Sequence, residues 1–321
     1  MDRICKNSDY RQRTRLLIAA VLVTAVLVSA GGSCLAEAPA FSVSSAAELA
    51  DCVAGLTEDS TVCLLADIEE KVTVRNDRDI TVTIDGNGYA LQKGVDIVND
   101  GSCSYVFRAI GIGPMDEDND EYWSTCMEVF NSKGQNEVVL MEDVSFLRNP
   151  QIGIRWYEHC GNGTLRIGNT IEAQAAGVYI EQDIDEEHSS QVTVCGQGGI
   201  RTGGAAPVIC TGSPDVQNQV PGQDFSVFIR DLFLEGTEYT VSARMTFQRM
   251  NLSIADIKTD YPVTILWEEQ YVTEPENMNE QAVKDGLSSR IRYTTGEHPG
   301  RATVIYNGDF DDYMGSFMLN E

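Results

Sequence analysis

Hydrophobic and polar residues alternate in short runs along most of the chain. The runs at 61–66, 80–84, 105–110 and 138–146 are rich in Val, Ile and aromatic residues, and Gly, Asn, Asp and Ser separate them. Alternation with a period of two over such lengths is typical of β-strands. Similar runs recur as far as Trp267, so the pattern predicts an all-β chain.

One early stretch follows a different pattern. Ser44 and Ser45 precede the strong helix formers of AAELADCVA, and Gly55 follows them. A serine N-cap and a closing glycine mark the ends of a helix. The sequence therefore predicts one short helix before the strands begin.

The strand-like runs also repeat over a longer distance. Two interleaved series advance by about 20 to 30 residues at a step, a period typical of repeat proteins. The first series contains Ile154, Val178, Val208 and Phe228, and the second contains Val139, Leu165 and Thr193. Two offset series indicate a solenoid in which each turn carries more than one strand. The alternative is an antiparallel β-sandwich, which expects turn signals every 8 to 12 residues instead.

The segment ITVTIDGNGYALQ, at 80–92, tests these two architectures. Asn-Gly after alternating apolar residues is ordinarily a strong β-hairpin signal. The long period favours a bend between two strands of one coil instead. Gly86 and Gly88 are expected to supply positive φ angles, and Asn87 tolerates the left-handed region.

The order of these elements resembles a known family. The helix, then TVCLLADI, then ITVTIDGNGYAL is similar to the entry of the right-handed parallel β-helix in the pectin-lyase-like superfamily. The resemblance is clearest over 41–92, whereas 137–267 shares only the rhythm. It implies that the helix caps the first coil, because an uncovered solenoid end exposes core and strand edges.

The first residues have the form of a secretory signal peptide. Five basic residues precede the uncharged apolar run Leu16–Ala30, and small residues follow it. We expect cleavage after Ala36 and a secreted or cell-surface protein with no membrane span in the mature chain. The open alternatives are an uncleaved anchor and a lipoprotein acylated at Cys34. The expected domains are the signal peptide at 1–36, the β-helix at 37–267, and a C-terminal cap or accessory segment at 268–321.

The chain is strongly acidic, with a formal net charge of −26 at pH 7. Removal of the basic leader makes the remainder more negative. Such a surface repels nucleic acid and anionic lipid, so neither is an expected partner. An anionic polymer would need a bridging cation such as Ca²⁺.

Seven cysteines follow the leader. Export permits disulfides, and the local pairs to test first are Cys52 with Cys63 and Cys103 with Cys126. An odd number leaves at least one thiol outside any internal pair. The alternative is that several are reduced and buried as small apolar residues.

Stacked coils would bring four polar side chains together on an outer face. The runs GIRWYE and GVYIEQ would lie on neighbouring coils, with alternate residues facing in and out. The inward residues would be Ile154, Trp156, Val178, Ile180, Val208 and Cys210. The outward residues would be Arg155, Tyr157, Tyr179 and Glu181, which we take as candidate substrate-binding residues for a carbohydrate, because aromatic rings stack on sugars and charged groups bond their hydroxyls. The alternative is a solvated sheet face with aromatic packing between coils.

Acidic residues cluster at 116–121, 183–187 and 309–312. The first cluster departs from an EF-hand, since Glu121 stands where glycine is needed and no Glu follows at the twelfth position. An irregular Ca²⁺ site is possible at either internal cluster, and the metal ligands are unknown. No other cofactor is expected.

The catalytic pattern of the resembling family is missing. Its lyases place Arg or Lys beside Ca²⁺-binding Asp, and its hydrolases use paired Asp, Gly-His and Arg-x-Lys. Here Asp311 and Asp312 lie far down the chain, no His follows a Gly, and Arg-x-Lys does not occur. We therefore expect no catalytic residues and a non-catalytic surface protein that recognises carbohydrate or acts as an adhesin-like module. The alternatives are a polysaccharide lyase or glycoside hydrolase and a structural envelope protein without a ligand.

Overall fold

The computed structural model describes residues 40–115, 124–182, 189–212, 225–244, 250–269, 280–296, 298–308 and 314–319. The predicted signal peptide at 1–36 lies outside these residues. Two helices occur in this part of the chain, α1 (Ala46–Gly55) and α2 (Glu280–Arg290). All other regular elements here are β-strands.

The strands occur in the following order along the chain. The first twelve are β1 (Ala40–Val43), β2 (Ser60–Leu64), β3 (Val72–Arg75), β4 (Thr81–Asp85), β5 (Ala90–Leu91), β6 (Val95–Asn99), β7 (Ser104–Arg108), β8 (Gly111–Ile112), β9 (Thr125–Leu140), β10 (Ser145–Phe146), β11 (Ile152–Ile167) and β12 (Thr170–Ala173). The remainder are β13 (Ala176–Gln182), β14 (Ser190–Gly196), β15 (Gly199–Thr202), β16 (Val208–Gly212), β17 (Phe225–Arg230), β18 (Phe233–Glu235), β19 (Val241–Arg244), β20 (Met250–Ala255), β21 (Thr264–Glu269), β22 (Ile291–Thr295), β23 (His298–Pro299), β24 (Ala302–Gly308) and β25 (Met314–Leu319).

The strands form a large, mostly parallel sheet of nineteen strands and two small sheets of three. Among the described strands, only β22 with β23 and β24 with β25 pair antiparallel. The all-β prediction is therefore confirmed. The antiparallel sandwich alternative is wrong, because its strands would pair with antiparallel neighbours throughout.

The large sheet contains two stacks of parallel strands. We call β1, β2, β4, β7, β14, β17, β20 and β22, with the second halves of β9 and β11, the first stack. The second stack contains β3, β6, β13, β16, β19, β21 and β24, with the first halves of β9 and β11. The long strands β9 and β11 belong to both stacks and join them. They pair with one constant displacement, from Thr125 opposite Ile152 to Leu140 opposite Ile167.

The first predicted series is partly reproduced by the strand register. Ile154 lies opposite Val178, and Val178 lies opposite Val208. Phe228 does not continue this series, since it lies opposite Thr193 in the first stack. The distance between paired strands varies along the chain, so equal spacing alone assigned Phe228 to the wrong stack.

The Asp-Gly-Asn-Gly bend connects strands of different sheets. β4 pairs with β2 and β7 in the large sheet, whereas β5 pairs with β8 in a small one, so the bend closes no hairpin. Asn87 and Gly88 have the positive φ angles expected of them, 52° and 87°. Gly86 is needed for space instead, since a Cβ there would lie 2.4 Å from the carbonyl oxygen of Ala109.

Alternate residues of both stacks fill a continuous hydrophobic core. The six residues expected to face inward are all buried with no exposed surface. Helix α1 adds Leu49 and Val53 to the start of this core. Its N-cap is Ser45, whose Oγ accepts a hydrogen bond from the Glu48 backbone N–H at 3.3 Å. The predicted helix is thus confirmed, although Gly55 is its last residue and the cap lies at Leu56.

Parallel pairing extends beyond Trp267. β22 continues the first stack and β24 continues the second, so both stacks enter the segment expected to cap them. The antiparallel strands β23 and β25 then follow. Helix α2 packs nearby and buries Leu287.

Candidate functional site

The four candidate substrate-binding residues lie on the outer side of the second stack. Arg155 is opposite Tyr179, and Tyr157 is opposite Glu181, on the adjacent strands β11 and β13. All four side chains are partly exposed. Alternation along each strand turns their sequence neighbours into the core, as the sequence predicts. We call these four residues the aromatic cluster.

Arg155 lies at the centre of the aromatic cluster. Its Nη2 donates to Glu181 Oε2 at 3.1 Å. Its Cζ lies 4.7 Å from the centre of the Tyr157 ring and 5.6 Å from that of Tyr179. The guanidinium thus makes one ion pair and two cation–π contacts, which fix the positions of the other three residues.

The faces of the Tyr157 ring are already occupied. Phe130, one strand earlier on β9, stacks on Tyr157 with ring centres 4.7 Å apart and planes 6° apart. A parallel ring at this distance fills one face, so the Arg155 guanidinium lies over the other. The expected stacking of a sugar on Tyr157 is therefore blocked, and the ring offers its edge and hydroxyl instead. Burial raises the pKa of Tyr157, although Arg155 acts in the opposite direction, and the hydroxyl remains a donor.

A small cavity adjoins the cluster. Its volume is about 220 Å³, and its lining includes Phe130, Ser132, Tyr157, His159 and Glu181. Aromatic edges, a hydroxyl and a carboxylate therefore face one shared space. Such a mixture suits a small polar ligand with several hydroxyl groups.

Beneath this cavity lies a buried carboxyl group that the sequence reasoning missed. Glu158 is 1 % exposed. Its Oε1 accepts from Asn131 Nδ2 at 2.6 Å and from the Gly161 backbone N–H at 3.0 Å, and its Oε2 accepts from Trp156 Nε1 at 2.9 Å. Burial raises its pKa to about 7, although these three hydrogen bonds act in the opposite direction.

Glu158 belongs to an internal row of polar residues. The register places Asn99, Asn131, Glu158 and Gln182 on successive strands, and all are buried. The signal in the sequence was a polar residue at the inward end of each run, directly after the apolar positions. The buried Asn131 Oδ1 and Gln182 Oε1 accept no hydrogen bond, so each next to Glu158 could accept one from a protonated carboxyl.

A second concave surface lies on the outer side of the first stack. Its volume is about 580 Å³, and polar side chains dominate its lining. Gln135, Asn162 and Gln191 form one row across β9, β11 and β14. A parallel row contains Ser104, Glu137 and Thr164. We call these six residues the amide groove.

Similarity to known proteins offers no name for either surface. No family model, no curated protein and no solved structure matches this chain. The resemblance to the pectin-lyase-like superfamily thus stays a prediction, and function must be argued from the geometry.

The predicted calcium sites lie outside the described residues. The acidic residues of 116–121, 183–187 and 309–312 fall in segments that the structure does not describe. Within the described ranges, no three His, Cys, Asp or Glu side chains are grouped so that they could hold a metal ion.

Two further sequence predictions concern the cysteines and the membrane. Cys52, Cys63 and Cys103 carry free thiols, so neither predicted local disulfide is formed. In the part of the chain that the structure describes, neither helix has the length and apolar character needed to cross a bilayer.

Proposed function

We propose that the protein is a secreted or cell-surface right-handed parallel β-helix that recognises carbohydrate without turning it over. The parallel stacks support the architecture. Partners in them lie between 21 residues apart, as for Ala40 with Thr61, and 39 apart, as for Thr264 with Thr303. Connections between parallel strands of one sheet are almost always right-handed, which gives the hand of the coil.

The observation that carries the carbohydrate proposal is the ordered aromatic cluster beside its cavity. Arg155 holds Glu181 and both tyrosines in place, so the polar edges need little rearrangement to bind. Preorganised polar groups beside aromatic surface are a common arrangement in small-ligand sites. We infer that Tyr157 and Glu181 bond sugar hydroxyls in the cavity and that Arg155 acts as a positioning residue.

Binding without turnover follows from how these groups are engaged. Arg155 is held by Glu181 and two tyrosine rings, so its guanidinium is poorly placed to serve as the base of a lyase. The carboxyl of Glu158 is directed into the core toward Trp156 rather than into the cavity. A lyase or hydrolase therefore remains the alternative that the experiment must test.

The test is a panel of pectic and host-type glycans incubated with the mature protein, with and without Ca²⁺. We expect retention of at least one glycan and no release of product. The Tyr157→Ala, Tyr179→Ala double variant is expected to bind about tenfold more weakly or worse, because two bonding groups are lost. Tyr261→Ala, which removes an exposed tyrosine outside the cluster, is the matched control.

Two results would contradict the proposal. The appearance of unsaturated or shortened sugar products would show an enzyme. Unchanged glycan retention by a folded double variant would remove the aromatic cluster from the binding site.

A further inference from the structure

The amide groove differs from the aromatic cluster in that its side chains are not engaged. Within the described residues, the side-chain amides of Gln135, Asn162 and Gln191 and the hydroxyl of Thr164 make no hydrogen bond to other protein groups. In the cluster, by contrast, Arg155 and Glu181 already bond each other. The groove therefore presents bonding capacity that only solvent or a ligand can use.

These free groups are regularly spaced. Gln135, Asn162 and Gln191 are direct partners on adjacent strands, and the same row continues through Ser226 and Asn251. Adjacent parallel strands lie about 4.8 Å apart. The row thus repeats an uncharged polar side chain at a short, constant interval along the stack, which suits a ligand with a regular repeat.

The groove is also poor in charge, although the chain carries a net charge of −26. Its lining includes two carboxylates, Asp79 and Glu137. Glu137 is already paired with Arg166, which bonds it through Nε. That arginine is therefore not available to an anionic ligand, and the two carboxylates would repel one.

We propose that the amide groove binds a neutral oligosaccharide whose chain runs along the first stack. Amide and hydroxyl side chains both donate and accept, as sugar hydroxyls do, so each strand can bond one segment of the chain. A uronate polymer finds no free cation there. This surface is distinct from the aromatic cluster, which lies on the other stack.

The proposal is tested by calorimetric titration of the mature protein with hexamers of β-1,4-linked glucose, mannose and xylose and with hexagalacturonate. We expect binding of at least one neutral hexamer and none of hexagalacturonate. Asn162→Ala, Gln191→Ala should weaken that binding about tenfold or more, because bonding groups on two adjacent strands are lost. Asn162→Asp, nearly the same in shape, separates the loss of a donor from a failure to fold.

The control variants separate this proposal from the preceding one. Thr170→Ala, on an exposed position of β12, should leave binding unchanged. Loss of neutral-hexamer binding in the Tyr157→Ala, Tyr179→Ala variant, with full binding retained by the groove variant, would overturn the groove and support the cluster. Binding of hexagalacturonate alone, or of no hexamer at millimolar concentration, would also overturn it.

Discussion

At the scale of single residues, Glu158 has the most unusual environment. Its carboxyl is buried within a row of amides, with three donors directed at it and unused acceptors on both neighbouring strands. Among the causes of its raised pKa there is no nearby charged side chain. Desolvation is therefore the dominant effect, and it favours the neutral acid.

We predict that this carboxyl makes stability depend on pH. Its pKa rises from an ordinary value of 4.5 to about 7 in the folded protein, so the folded state binds the proton more tightly. The stabilisation is complete below the lower value and is lost as pH rises toward 7. The free energy of unfolding should fall by about 3 kcal/mol over that range relative to Glu158→Gln, which has no proton to lose.

Urea unfolding at a series of pH values measures this difference. Glu172→Gln, which removes an exposed carboxyl on β12, should follow the wild-type profile. Parallel profiles for the wild type and Glu158→Gln would show that Glu158 does not titrate in this range.

At the scale of elements, the long strand β11 requires a glycine where it bends over the core. A Cβ on Gly163 would lie 2.3 Å from Trp156 Cζ2 and 2.5 Å from Glu158 Oε2, both of which are buried. The ring and the carboxyl cannot both move away in a packed interior. Glycine is thus the one residue that lets the strand pass over this pair.

We predict that Gly163→Ala lowers the free energy of unfolding by about 1–3 kcal/mol, the usual cost of overpacking a core. Gly199→Ala is the matched control, because its Cβ would meet only Phe233, at an ordinary 3.5 Å. Thermal unfolding of both variants compares them directly. Equal stability of the two would mean that Trp156 repacks without cost.

The same element shows how far sequence reasoning could reach. Alternation placed Trp156 inward and Tyr157 outward correctly, because side-chain direction along a strand is a local property. The row containing Asn162 was missed, since it depends on which distant strands lie side by side. The second series was one residue out of register, with Val139 opposite Arg166 rather than Leu165. Loop lengths that differ between strands set that register, and no local pattern records them.

The candidate site was predictable to the same extent. Parallel stacking brought Arg155, Tyr157, Tyr179 and Glu181 together, as expected from their 24-residue and 26-residue separations. The stacking partner Phe130 was not foreseen, because β9 lies one strand earlier at a different spacing. That contact changes the role expected for Tyr157 from its ring face to its edge.

At the scale of the whole molecule, the net charge of −26 is the dominant electrostatic feature. Like charges spread over one body repel each other, and compaction brings them closer. Several acidic side chains on the stacks are offset by arginine, such as Asp85 by Arg108 at 2.9 Å and Glu268 by Arg244 at 3.3 Å. The basic residues are too few to offset all of the acidic ones.

We predict that salt stabilises the folded protein. Raising NaCl from about 0.01 M to about 1 M shortens the screening length from about 30 Å to about 3 Å, which removes repulsion between distant carboxylates. The Tm should therefore rise in differential scanning calorimetry, although local ion pairs such as Asp85 with Arg108 weaken. Equimolar sucrose, which carries no charge, is the control for effects other than screening. A fall in Tm with NaCl would show that local pairs outweigh the long-range repulsion.

The constant displacement between β9 and β11 has a consequence for how such a protein lengthens. Thr125 faces Ile152 and Leu140 faces Ile167, so 27 residues separate equivalent positions in both stacks at once. A segment of that length is a complete module: copying it in tandem would add one storey while every residue above and below kept its former neighbours. Growth by whole modules would leave both ends untouched, and each new copy would extend the two outer surfaces together.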